Sequence, residues 1–85
     1  MMDTQIFKLK LSVHATSLYI LVTELVEGGV RPTILEIRAR FNASEEETQD
    51  ALSELLLHKV LYLSSQGEPQ SYHPNPASLW EMPGS

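Results

Sequence analysis

Two helix-start signatures stand one short helix apart in this chain, and they constrain its fold more than any other feature. Thr33 is followed three positions later by Glu36, and Ser44 by Glu47. Each pair reads as a capping box: the hydroxyl accepts from one orphan backbone N–H and the carboxylate reaches back to another. Pro32 precedes the first cap, where its missing donor breaks no helical bond. Asn42 and Ala43 supply a tight turn between the two segments. The spacing predicts a short helix over 34–41 with Ile34, Ile37 and Phe41 inward. A longer helix follows to about residue 58, with Ala51, Leu52, Leu55 and Leu56 as its buried stripe. Glu46, Asp50, Ser53 and Leu57 fall on its opposite side, flanked by Gln49 and Glu54.

The flanks extend this plan. Residues 13–27 carry Ala15, Leu18, Tyr19, Val22, Leu25 and Val26 at helical spacing, with Ser12 as cap and Gly28-Gly29 as stop. Residues 60–64 read as a strand, 65–69 (Ser-Gln-Gly-Glu-Pro) as turn chemistry and 70–73 as a returning strand, which makes a hairpin. Ahead of the first helix, residues 6–11 alternate. Phe7, Leu9 and Leu11 share one face and Lys8 and Lys10 the other, the period of a half-buried strand. The tail is punctuated by proline. Asn75 as cap, Pro76 at the first helical position and Pro83 as stop predict a short helix over 76–82 carrying Leu79, Trp80 and Met82. Residues 1–74 are expected to form one domain and 75–85 its tail.

The order long helix, short helix, turn, third helix, hairpin resembles the winged helix-turn-helix plan. Residues 29–41, Gly-Val-Arg-Pro-Thr-Ile-Leu-Glu-Ile-Arg-Ala-Arg-Phe, resemble the second helix of the DNA-binding domain in the SOS-response repressor LexA. That family also has a Pro-Thr cap, then Glu-Ile, then an apolar residue before the turn. Leu52, Leu55 and the Val60-Leu61 pair match the spacing with which such domains enter their wing. The resemblance covers about residues 13–73. It implies an α+β, mainly α, winged helix-turn-helix fold: three helices and a β-hairpin wing, here with an extra N-terminal strand and a short C-terminal helix. Its motifs are structural and carry fold rather than occupation. Two departures stand out. Relatives send the third helix into the major groove, yet here it opens Glu45, Glu46, Glu47, Thr48, Gln49, Asp50. Lys59 also stands where the family pattern has glycine before the wing. A weaker similarity is to the small peptide carriers of the pyrroloquinoline quinone pathway, which capture a partner peptide on a strand edge. Residues 7–11, Thr33, Glu36-Ile37 and the Leu52–Leu55 spacing carry it; the hairpin and the longer first helix depart from it. A third, fainter echo is the non-DNA-binding winged helix at the front of organomercurial lyases, whose catalytic cysteines are absent here.

Composition narrows the chemistry. The chain has no cysteine, which excludes disulfides, cysteine zinc sites and thiol chemistry and fits a cytoplasmic setting. The longest apolar stretch, 18–26, is broken by Thr23 and Glu24 and falls short of the roughly 20 residues that cross a bilayer, so no membrane role is expected. His14, His58 and His73 have no second ligand at metal spacing, and Glu54 and His58, four apart, are expected to pair. No serine sits in a nucleophile elbow and no glycine-rich phosphate loop exists. No metal, no cofactor and no enzymatic activity are therefore expected.

Duplex DNA binding ordinarily rests on a basic face, and this chain carries a net charge of −5. Acids at a helix start are what the macrodipole favours, so the plain reading of Glu45–Glu47 is a solvated N-terminus. Arg31, Arg38 and Arg40 cluster near the second helix, where they would meet phosphates, an acidic protein surface or neighbouring acids. Leu57 would be tucked under the wing, or would join Leu79, Trp80 and Met82 in a contact surface; Trp80 would alternatively pack the tail on the first helix. The leading expectation is a small non-enzymatic regulatory or adaptor protein acting through protein contacts, with Glu46, Asp50, Leu57, Leu79, Trp80 and Met82 as partner-binding residues. The alternatives are a dimeric DNA-binding regulator docking in a non-standard pose through Arg31, Arg38, Arg40 and Gln49 with Lys8 and Lys10, and a separately encoded accessory domain of an enzyme. A homodimer would pair residues 7–11 across a two-fold axis, unless that strand joins the hairpin.

Overall fold

A computed structural model describes residues 4–64 and 70–81, residues 4 and 5 by their backbone alone. A 3-10 helix, Thr4–Leu9, leads into α1 (Val13–Glu27), α2 (Ile34–Arg40) and α3 (Glu45–Leu57). The strands β1 (Leu61–Ser64) and β2 (Ser71–Pro74) follow, and then a single 3-10 turn, Ala77–Leu79. The class is α+β, mainly helical. Among the described residues no helix is long and apolar enough to cross a membrane.

The α1 helix starts at Ser12, whose extended backbone lets its hydroxyl accept from the Ala15 N–H at 3.1 Å. Ser12 is itself clasped by α3: its N–H and its hydroxyl donate to the two carboxylate oxygens of Glu54 at 2.8 and 2.9 Å. Glu54 therefore serves the start of α1 and not the expected pair with His58. Ala15, Leu18, Tyr19, Val22 and Leu25 are buried, whereas Val26, expected inside, is exposed on the last turn. The helix stops in a Schellman motif: Gly29 takes φ +78°, its N–H reaches the Val26 carbonyl, and the Val30 N–H returns to the Leu25 carbonyl at 2.8 Å.

Only half of the expected first capping box forms. The Thr33 hydroxyl accepts from the Glu36 N–H at 3.3 Å, but the Glu36 carboxylate turns to Arg40 one helical turn on, at 2.8 Å. Phe41 caps α2 from outside it. The second box is complete, with Ser44 N–H on the Glu47 carboxylate at 2.9 Å and Glu47 N–H on the Ser44 hydroxyl at 3.1 Å. α3 ends in a second Schellman motif: the Lys59 N–H meets the Leu56 carbonyl and the Val60 N–H meets the Leu55 carbonyl at 2.9 Å. Here the left-handed position belongs to Lys59, at φ +60°.

The hairpin is antiparallel, pairing Leu61 with Pro74, Tyr62 with His73, Leu63 with Tyr72 and Ser64 with Ser71. The other edge of β2 is taken by the α1–α2 connection. Tyr72 N–H donates to the Pro32 carbonyl at 3.0 Å, and Thr33 bridges Ser71. The turn at 65–69 lies outside the described residues.

Residues 6–11 do not form the expected strand. Thr4–Leu9 winds instead as a 3-10 helix, whose period of three stacks Ile6 over Leu9. Both enter the core beside Leu18, Val22, Ile37, Leu52 and Leu55, while Phe7 is left exposed and Leu11 half-buried. A dimer built by pairing residues 7–11 as strands loses its strand. The tail differs as well. The expected helix over 76–82 shrinks to the 3-10 turn, and Asn75 does not cap it; its amide donates to the Lys59 carbonyl at 2.9 Å.

Candidate interaction surface

The α3 helix presents the face its periodicity called for. Glu46, Asp50, Ser53 and Leu57 fall on one stripe, all exposed, with Gln49 exposed beside them. Leu57 is 70% exposed, so the hairpin does not cover it. At the head of the stripe Glu45, Glu46 and Glu47 occupy the first turn, where the helix dipole and free N–H groups favour anions. Of these, Glu47 is held below the usual carboxylate range, first by the Ser44 N–H and then by the Ser44 hydroxyl. His14, 3.5 Å away and edge-on to Phe41, assists.

The arginines do not form an open cationic patch. Arg38 pairs with Glu45, and Arg40 with Glu36. Arg31 donates to the Ser71 hydroxyl at 3.3 Å. Ser71 in turn shares a hydrogen bond with His73 Nε2 at 2.8 Å. This serine–histidine pair was missed in the sequence, although residues two apart on a strand share a face. Ser71 is 0% exposed, so the pair ties β2 to the α1–α2 connection and offers no hydroxyl to solvent. Lys8 is exposed on the N-terminal 3-10 helix and Lys10 just after it. Among the described residues no three His, Asp or Glu side chains are grouped to hold a metal.

The tail residues part company. Trp80 packs on α1, its ring edge-on to Tyr19 at a centroid distance of 5.6 Å, and its indole N–H donates to the Asn75 carbonyl at 3.0 Å. Leu79 is 55% exposed, and Met82 lies outside the described residues. A cluster at the α3–β1 corner was also missed. Glu81 N–H donates to the His58 carbonyl at 2.7 Å, His58 Nδ1–H donates to the Glu81 carbonyl at 2.9 Å, and Lys59 Nζ lies 3.0 Å from the Glu81 carboxylate. Nothing local in the sequence announces it, apart from lysine at a position that suits glycine.

The described residues define a small α+β, mainly helical module with an acidic outward face on α3 and a C-terminal strap. No family model matches the chain, and neither does any curated protein or solved structure.

Proposed function

We propose that this chain is a non-enzymatic winged helix-turn-helix module that acts as a regulator or adaptor through protein contacts. The observation that carries the reading is the charge of the outward α3 stripe. Where a groove-reading helix needs Arg, Lys, Asn or Gln, this one offers Glu46, Asp50, Ser53 and Leu57, with Gln49 as the one suitable reader. The guanidinium groups of Arg38 and Arg40 are engaged by Glu45 and Glu36. Phosphate approaching this side meets like charge, whereas a protein partner with basic groups at one end and an apolar group at the other meets Glu46, Asp50 and Leu57 in complementary order.

Fluorescence anisotropy of a labelled generic DNA duplex, at low salt and again near physiological salt, tests the reading. No binding at either salt is expected. Binding that weakens steeply with salt would transfer the proposal to a DNA-binding regulator acting through Arg31, Arg38, Arg40 and Gln49.

A further inference from the structure

The corner that joins α3 to β1 is built around the strap. Lys10 and Lys59 both hold a left-handed backbone that glycine adopts freely, and at Lys59 the position has a use. Its use is visible at both ends. The twist presents the Lys59 carbonyl to the Asn75 amide, and the ammonium meets the Glu81 carboxylate. Glu81 is gripped by its N–H and by its carbonyl at the same residue, His58. Backbone bonds of that kind hold any residue type. Selectivity is left to two side-chain seats: the Tyr19 ring, which reads an aromatic, and Lys59, which reads a carboxylate.

We propose that residues 75–81 are a displaceable internal ligand, and that the Tyr19–Lys59 seat docks a partner segment carrying an aromatic ring followed directly by a carboxylate. This inference rests on the protein-contact reading above. None of residues 75–81 is fully buried, and every buried core side chain comes from Leu61 or earlier. The strap's share in the core is the half-buried Trp80, so lifting it opens the core at one place and leaves the remaining buried side chains packed, as weakly buried segments allow. Lifting it uncovers Tyr19, which is 2% exposed beneath it. The strap's own chemistry, Trp80 then Glu81, defines what fits.

The probe is an N-terminally fluorescein-labelled, C-amidated peptide, Asn-Pro-Ala-Ser-Leu-Trp-Glu, added in trans to the full chain. The variant Trp80→Ala/Glu81→Gln, with its two side-chain seats vacated, is expected to bind the peptide at least about tenfold more tightly than the wild-type chain, because a site occupied by its own ligand shows reduced apparent affinity. Adding Lys59→Ala should abolish that gain. A folded variant that ignores the peptide overturns the proposal. Should the variant fail to fold, hydrogen exchange on the wild-type chain decides. Exchange of the Trp80 indole N–H and the Glu81 N–H well ahead of core amides in α1 and α3 supports a displaceable strap; exchange only together with them overturns it. The two readings fail separately: peptide binding reports on the strap seat, and salt-dependent DNA binding reports on the charged surface.

Discussion

Replacing Glu54 by alanine should cost far more than an exposed helical glutamate normally does. Such substitutions usually stay within about 0.5 kcal/mol. Glu54, however, accepts two hydrogen bonds from Ser12, the cap of α1, at 2.8 and 2.9 Å. Bonds to charged groups contribute about 1.5–3 kcal/mol when well sheltered, and partial exposure here brings the pair to about 1–2 kcal/mol together. The carboxylate also sits at the positive end of α1, which is worth a few tenths more. In a domain of this size about 1–2 kcal/mol lowers Tm by roughly 5–15 °C. Urea unfolding followed by far-UV circular dichroism measures it, with the slope expected to stay constant. Ser12→Ala should cost about 1 kcal/mol through the lost cap. The double variant should show a coupling of about 0.5–1.5 kcal/mol, since the two residues act as one unit. Glu54→Gln should fall midway, keeping one acceptor and losing the charge. A coupling near zero would refute the hydroxyl half of the clasp, and a negligible loss in Glu54→Ala would refute the whole of it, with the claim that α3 sets the start of α1.

Three further outcomes follow from the same structure. Leu57→Ser should leave stability within about 0.5 kcal/mol while Leu55→Ala costs about 2–5 kcal/mol; equal losses in urea titrations would mean that Leu57 is covered after all. Because the Glu47 carboxyl is held low in the folded chain, its contribution is full above the ordinary carboxylate range of about 4.3 and is lost as pH falls through the lowered value. Glu47→Gln should flatten the acid limb of a Tm-versus-pH curve, and an unchanged limb would contradict the capping geometry. Lys59→Gly and Lys59→Ala both remove the Glu81 pair, so the difference between them isolates the left-handed backbone; the glycine variant should be the more stable by about 1 kcal/mol.

What was legible in the sequence was what is decided locally. Ser12 with Ala15, Ser44 with Glu47 and the stop at Gly28-Gly29 all act within one turn, and α1 and α3 follow from them. The outward stripe from Glu46 to Leu57 was legible for the same reason, as a pure consequence of helical period. Residues 6–11 were not, because Ile6 and Leu9 satisfy a period of three while Phe7, Leu9 and Leu11 satisfy a period of two. The choice is made by packing, since the period of three buries Ile6 and Leu9 together in the core, and no pattern within the segment announces that. Glu36 had two local uses, the cap and Arg40, and its carboxylate turns to Arg40. Ser12 and Glu54 are 42 positions apart, beyond any pattern within an element. Packing of Trp80 on α1 was legible as one of two alternatives and is the one that forms, whereas its partner Tyr19 and the Lys59–Glu81 pair needed long-range knowledge.

The hairpin of this chain is not a free flap. Thr33 is at once the cap of α2 and the bridge partner of Ser71, while Pro32 and Arg31 grip Tyr72 and the Ser71 hydroxyl on either side of that bridge. In mechanical terms the turn-side end of β2 and the first turn of α2 are one rivet. A load applied to the first residues of β2 has a direct hydrogen-bonded path to the cap of α2.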